Sequence, residues 1–88
     1  MLRISRLHAE ADQIRLKVEG RMTREWLPVI TEELDGALAA VSHVQLDLEH
    51  VAYVDAEMLQ MLRSLPRGRV AIVECPALIQ DLLEEKPS

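Results

Sequence analysis

The chain has 88 residues, 49% of them apolar and 28% charged, with a formal net charge of −5. That length and balance suit one small globular domain with a thin stability margin, and exclude a disordered chain. Acidic residues spread along the whole sequence argue against a phosphate-neutralising, nucleic-acid-binding surface. Arg63, Arg67 and Arg69 form a small basic cluster, expected to be a solvated loop. Trp26 and Tyr53 are the only aromatic residues, so the core must be aliphatic. The single cysteine, Cys75, excludes an internal disulfide and a Cys-paired zinc site, and fits a reducing, cytoplasmic setting. Met1 to Arg6 shows no signal-peptide pattern, and no apolar run is long enough to span a membrane.

In chain order, Leu2, Ile4 and Leu7 predict a first strand near 2–7, and His8 to Asp12 a turn. Ile14, Leu16 and Val18 alternate with Arg15, Lys17 and Glu19, the period of a half-buried strand, so the two strands form a hairpin ending at Gly20. Leu27, Ile30, Leu34, Ala37, Leu38 and Val41 recur at helical spacing. Pro28 is tolerated only in a first turn, so this helix begins close to Leu27, after a looser turn over 23–26. Val44, Leu46 and Leu48 predict a third strand near 44–49, followed by a connecting stretch from His50 to Val54.

Asp55 is a good N-cap for a second helix from Ala56 to Leu65, with Met58, Leu59, Leu62 and Leu65 inward and Pro66 and Gly68 beyond its end. The unbroken run Val70 to Val73 predicts a strand covered on both faces. Pro76 opens a last helix with Leu78, Ile79, Leu82 and Leu83 as its apolar stripe, fraying from Glu84 to Ser88. The order is ββαβαβα, an α/β fold in which a hairpin is followed by parallel strands and right-handed crossovers.

Signatures of catalysis are sparse. There is no glycine-rich phosphate loop, no cysteine pair and no nucleophile elbow. His8, His43 and His50 fall in or beside predicted turns, where solvated histidines are expected. His43 and His50 lie at opposite ends of the third strand, roughly 20 Å apart, and so cannot share a metal. Asp47, Asp55 and Glu57 are the carboxylates near a strand end that could form an acid/base pair. Each also has a plain structural explanation. Asp55 serves as an N-cap and Glu57 as a favourable first-turn charge, while Asp47 is a polar strand position or an acceptor for a backbone N–H. Cys75 is either a small apolar strand end or a thiol with a lowered pKa at a helix N-terminus.

The stretch Val44-Gln45-Leu46-Asp47-Leu48, then Glu49 to Val54, then Asp55-Ala56-Glu57-Met58-Leu59 resembles the signature of the STAS domains, the anti-sigma-factor-antagonist family. That signature is a strand ending in Leu-Asp-Leu, a short connection, and Asp-Ser-Ser/Thr-Gly-Leu opening a helix. The N-terminal hairpin, Gly20 and Cys75-Pro76 fit the same plan, and the likeness covers about residues 2 to 84. The resemblance implies one STAS-like domain over 1–88 and a non-enzymatic, cofactor-free and metal-free protein-interaction module of bacterial transcription signalling. Its partner-binding surface would be Asp55, Ala56, Glu57 and Met58, with Gly20, Arg21, Met22 and Thr23 nearby and Met58 as an exposed, adaptable apolar contact.

In phosphorylatable relatives the residue two after the Asp is a Ser or Thr modified by an anti-sigma kinase. Here Glu57 stands in its place, Ala56 replaces the first Ser, and Met58 the Gly. A carboxylate carries one negative charge against roughly −1.5 to −2 for a phosphate. Glu57 is therefore either a fixed partial mimic of the phosphorylated state or simply a first-turn acid. The family loop Gly-x-Leu/Ile-Asp reads Gly20-Arg21-Met22-Thr23, without its acid. Many relatives carry a further strand and helix, so an open sheet edge and a homodimer or tight partner are expected. The resemblance leaves two partners open, an anti-sigma-factor kinase or a bacterial lipid-transport ATPase to which the chain would be an accessory subunit. A reading of another class is a small enzyme using Asp55 and Glu57, which requires a deep pocket around them.

Overall fold

The computed structural model describes residues 1–84, with the side chains of His8 and Ala9 outside the description. The expected fraying beyond Glu84 falls outside the described residues. Two strands, β1 (Leu2–Glu10) and β2 (Gln13–Met22), form an antiparallel hairpin. A single 3-10 turn over Arg24–Trp26 leads into α1 (Leu27–Ala40), with Pro28 in its first turn as the sequence requires. Then follow β3 (His43–Val54), α2 (Ala56–Arg63), β4 (Val70–Val73) and α3 (Ala77–Glu84). The sheet order is β1-β2-β3-β4, with β3 parallel to both β2 and β4. The expected order ββαβαβα is the observed one.

One face of the sheet builds the core. Ile14, Leu16 and Val18 of β2 and Val44, Leu46 and Leu48 of β3 are buried, joined by Ile30, Leu34 and Ala37 of α1, Met58 and Leu62 of α2, and Ile79 of α3. Period-2 strands and period-3.6 helices meet there because each has one apolar side to hide.

Where the structure departs from expectation, bulges and edges explain it. β1 runs on to Glu10, so His8 lies in a strand and not in a turn. β3 is continuous for 12 residues, and the expected connecting stretch 50–54 is part of it. Its buried apolar positions fall at Val44, Leu46, Leu48, Val51 and Val54, so the spacing lengthens from two to three. The register shows why. Lys17 pairs with Asp47 and Glu19 with His50; Gly20 pairs with Val51 and Arg21 with Tyr53. Twice β3 inserts an extra residue, a β-bulge that resets which side chain faces the core. β4 is an edge strand with Val70 buried, Ala71 exposed and Ile72 and Val73 half-buried, so its apolar run is not covered on both faces. Leu78, expected inward on α3, is 72% exposed.

The basic cluster is not simply solvated. Arg69 donates to the carbonyls of Leu38 (2.7 Å), Val41 (3.1 Å) and Ser42 (3.2 Å), binding the end of α1 to the start of β4. A cation is favoured at that helix end because the last carbonyls lack intrahelical donors. Arg63 does the same for α3, donating to Leu82 O at 2.5 Å and Leu83 O at 3.4 Å.

Candidate functional site

The second helix starts where β2 and β3 both end. Met22 pairs with Val54, and Asp55 N–H donates back to Met22 O at 3.1 Å. Asp55 then leaves the strand in an extended conformation, the geometry of an N-cap, and its Oδ1 accepts Met58 N–H at 3.0 Å. Its Oδ2 accepts Arg24 N–H at 2.6 Å from the 3-10 turn. One carboxylate thus ties the first turn of α2 to the segment that opens α1.

Around this clamp the expected site residues divide by exposure. Ala56 and Glu57 are exposed on the first turn of α2. Glu57 Oε1 lies 3.6 Å from Arg24 Nη1, with the two side chains 54% and 75% exposed. Arg21 is exposed and its guanidinium lies 4.8 Å over the Tyr53 ring, a cation–π contact between paired positions of β2 and β3. Thr23 donates its hydroxyl to Glu25 Oε1 at 2.9 Å.

Two expectations are corrected here. Met58 is 0% exposed: the N3 position of α2 turns it into the core, so it is no adaptable surface contact. Met22 is also 0% exposed, because residues 20–22 are the last pairs of β2 and not a loop. Gly20 holds φ +106°, and a Cβ there would stand 2.2 Å from the Met1 carbonyl oxygen. Its place is thus set by backbone geometry.

Asp47, the centre of the Leu-Asp-Leu motif, lies eight residues before Asp55 on β3, paired with Lys17 of β2. It is 4% exposed. Oδ1 accepts Glu49 N–H at 3.0 Å, beside the first β3 bulge, while Oδ2 takes Arg15 Nη2 at 2.9 Å and Nε at 3.2 Å. Burial pushes this carboxyl up, but Glu49 N–H, Arg15 and Lys17 together outweigh it and hold the group below its ordinary value of 3.8. Cys75 follows its bland reading: it is half-buried, and burial pushes its thiol up, not down.

Sequence reasoning missed Arg15, Arg24 and Tyr53. Arg15 meets Asp47 only through the β2–β3 register, and Arg24 meets Asp55 through its backbone, which any residue carries. Tyr53 was hidden by the second bulge. Grooves of about 440 Å³ (Arg6, Ala11, Ile14, Ala40, Val41) and about 250 Å³ (Leu62, Leu65, Val70, Ile72 and Leu83 among others) lie elsewhere, and neither includes Asp55 or Glu57. Among the described residues no three His, Cys, Asp or Glu side chains gather where a metal could bind.

Comparison with known proteins agrees with this architecture. A family model described as "Mlab, STAS domain" matches residues 5–85, and the chain belongs to the STAS family. Among solved structures, the anti-sigma factor antagonist SpoIIAA in its unphosphorylated form is similar, with a TM-score of 0.70 and 14% identity, over 97% of this chain and 84% of that one. A DUF3478-family protein with a SpoIIAA-like fold from Shewanella loihica PV-4 is similar at a TM-score of 0.49 and 14% identity, over 93% of each chain. No curated protein matches the chain.

Proposed function

We propose that this STAS domain is a non-enzymatic protein-interaction module resembling an anti-sigma factor antagonist, docking through the first turn of α2 with the end of β2 beside it. The observation that carries this reading is the Asp55 clamp. It fixes Ala56 and Glu57 of the capped helix beside Arg24 of the 3-10 turn, at the end of the sheet where the Arg21–Tyr53 pair also lies. Surfaces held on such elements bind with little ordering cost. Asp55 and Met58 support that surface from within, and contact falls to Ala56, Glu57, Arg21 and Arg24.

Glu57 has no hydroxyl to phosphorylate, so association at this turn is constitutive and not kinase-gated. That permanence favours a second reading, in which the chain is a stationary accessory subunit of a bacterial lipid-transport ATPase. Membership of a family described as Mlab, STAS domain suits that reading as well. The two are separated by capture from host lysate with the native protein and with Glu57→Lys/Ala56→Arg as control, followed by mass spectrometry. A kinase-like anti-sigma factor retained only by the native protein supports the first, and a transport ATPase retained in the same way supports the second. Equal retention by the control removes the α2 turn as the interface.

A further inference from the structure

The outer edge of β4 is a second surface, separate from the α2 turn and independent of the reading above. Val44 N–H donates to Arg69 O at 2.8 Å, and Val44 pairs with Val70. In a parallel ladder this parity turns the N–H and C=O of Ala71 and Val73 toward β3, and those of Val70 and Ile72 away from the sheet. Val70 N–H is taken by Pro66 O at 2.8 Å. Ile72, paired in register with Leu46, is left with both backbone groups on the outer edge and no hydrogen-bond partner among the described residues. Such an edge is a template for another strand.

Three features say which strand. Val70 to Val73 carries no charge and no proline, and three of its four residues are β-branched, which suits strand pairing. Ile72 also borders two adjoining grooves of about 250 and 320 Å³ that share Arg67, Ile72 and Leu83, so aliphatic surface lies open beside the edge. Finally, Arg67 and Glu74 are exposed at opposite ends of β4, and neither has an ionic partner among the described residues.

We infer that β4 is a self-association edge: two copies pair their β4 strands antiparallel about a two-fold axis through Ile72. Hydrogen-bond parity sets the register. Only residues with both groups outward can exchange two bonds, so Ile72 faces Ile72 of the second copy, and Ala71 faces Val73. Opposed residues project to the same face, so each Ile72 side chain closes over the groove bordered by Leu83 of its own copy and that of the other. The same rotation brings the Arg67 end of each copy beside Glu74 of the other, twice. An unrelated strand would satisfy the hydrogen bonds alone; a second copy also supplies the aliphatic cover and both charge matches.

Sedimentation equilibrium between about 1 and 500 µM tests this, a range that spans weak dimers. The native chain is expected to rise from its 10.0 kDa monomer toward twice that mass. Ala71→Lys, at an exposed position, is expected to stay monomeric with unchanged circular dichroism and thermal midpoint. Glu74→Arg weakens association about tenfold, and adding Arg67→Glu restores it. In a Cys75→Ser background, Ala71→Cys and Val73→Cys proteins form a disulfide faster when mixed than either does alone. A constant monomer mass over the whole range overturns the inference, as does a dimer indifferent to both Ala71→Lys and Glu74→Arg.

Discussion

Arg15 reaches from β2 to Asp47 on β3 and places both Nη2 and Nε on one carboxylate oxygen, at 2.9 and 3.2 Å. The other oxygen is spent on Glu49 N–H beside the bulge. Removing Asp47 therefore leaves a guanidinium and a backbone N–H without their acceptor in a largely buried place. Asp47→Ala is expected to cost about 2–3 kcal/mol, measured by urea denaturation. Arg15→Ala, whose side chain is 30% exposed, costs less, on the order of 1 kcal/mol.

The same carboxyl makes stability pH-dependent, together with Asp12. Asp12 accepts Ser42 N–H at 2.9 Å across the ends of the hairpin and α1. Hydrogen bonds from the Ser42 side chain and backbone, assisted by the charges of His43 and Arg69, hold its carboxyl below the ordinary 3.8. Both groups bind protons less readily folded than unfolded, so their contribution is complete above about pH 5 and is lost as the pH falls below 4. Thermal midpoints measured from pH 7 to pH 3 are expected to fall only in the acidic part of that range. Asp47→Asn flattens the fall; an unaltered profile in that variant would refute the assignment.

Among the described residues two hold positive φ, and they should answer oppositely to substitution. Gly20, at φ +106°, has the Met1 carbonyl where a Cβ would go, so Gly20→Ala is expected to cost at least about 2 kcal/mol. Glu74, at φ +50°, is a side-chain-bearing residue in the left-handed region between β4 and Pro76. Glu74→Gly is expected to stabilise by about 0.5–1 kcal/mol as that strain is relieved. Denaturation midpoints of the two variants, compared at equal slope, decide both.

At the proposed docking surface, stability and binding should separate. The Arg24–Glu57 pair is mostly exposed, so Glu57→Ser is expected to shift stability by no more than about 0.5 kcal/mol while changing affinity for the captured partner. Asp55→Ala is expected to lose about 1–2 kcal/mol and to weaken binding as well, because it releases both Met58 and Arg24. If Glu57→Ser leaves affinity unchanged, Glu57 is only a first-turn acid.

Much of this was legible in the sequence, for identifiable reasons. Pro28 fixed the start of α1 because its ring tolerates few backbone positions. Asp55 announced α2 because its short carboxylate suits the free N–H groups of a first turn. The second half of β3 was not legible, since alternation is the only local mark of a strand and two bulges break it. Helical spacing placed Met58 inward, where it lies, whereas the resemblance made it an exposed contact, because the aligned family position carries a glycine, which says nothing of where a side chain would go. β4 was misread for a related reason: an apolar run is the same whether a strand lies inside a sheet or at its edge.

The two arginine contacts at helix ends differ in consequence. Arg69 binds its carbonyls where α1 is already anchored by Ile30, Leu34 and Ala37, whereas Arg63 holds α3, which fully buries Ile79 alone and packs half-buried Leu83 against the core. Detaching α3 sacrifices Ile79, the packing of Leu83 and the contacts of one guanidinium, and leaves the four strands paired. Its amides therefore exchange with solvent through a local opening far less costly than global unfolding, while those of β2 and β3 wait for the whole molecule to open. The last helix behaves as a hinged cover: each excursion withdraws Ile79 and Leu83 from the core, and anything that binds the surface so uncovered favours the open state and speeds that exchange.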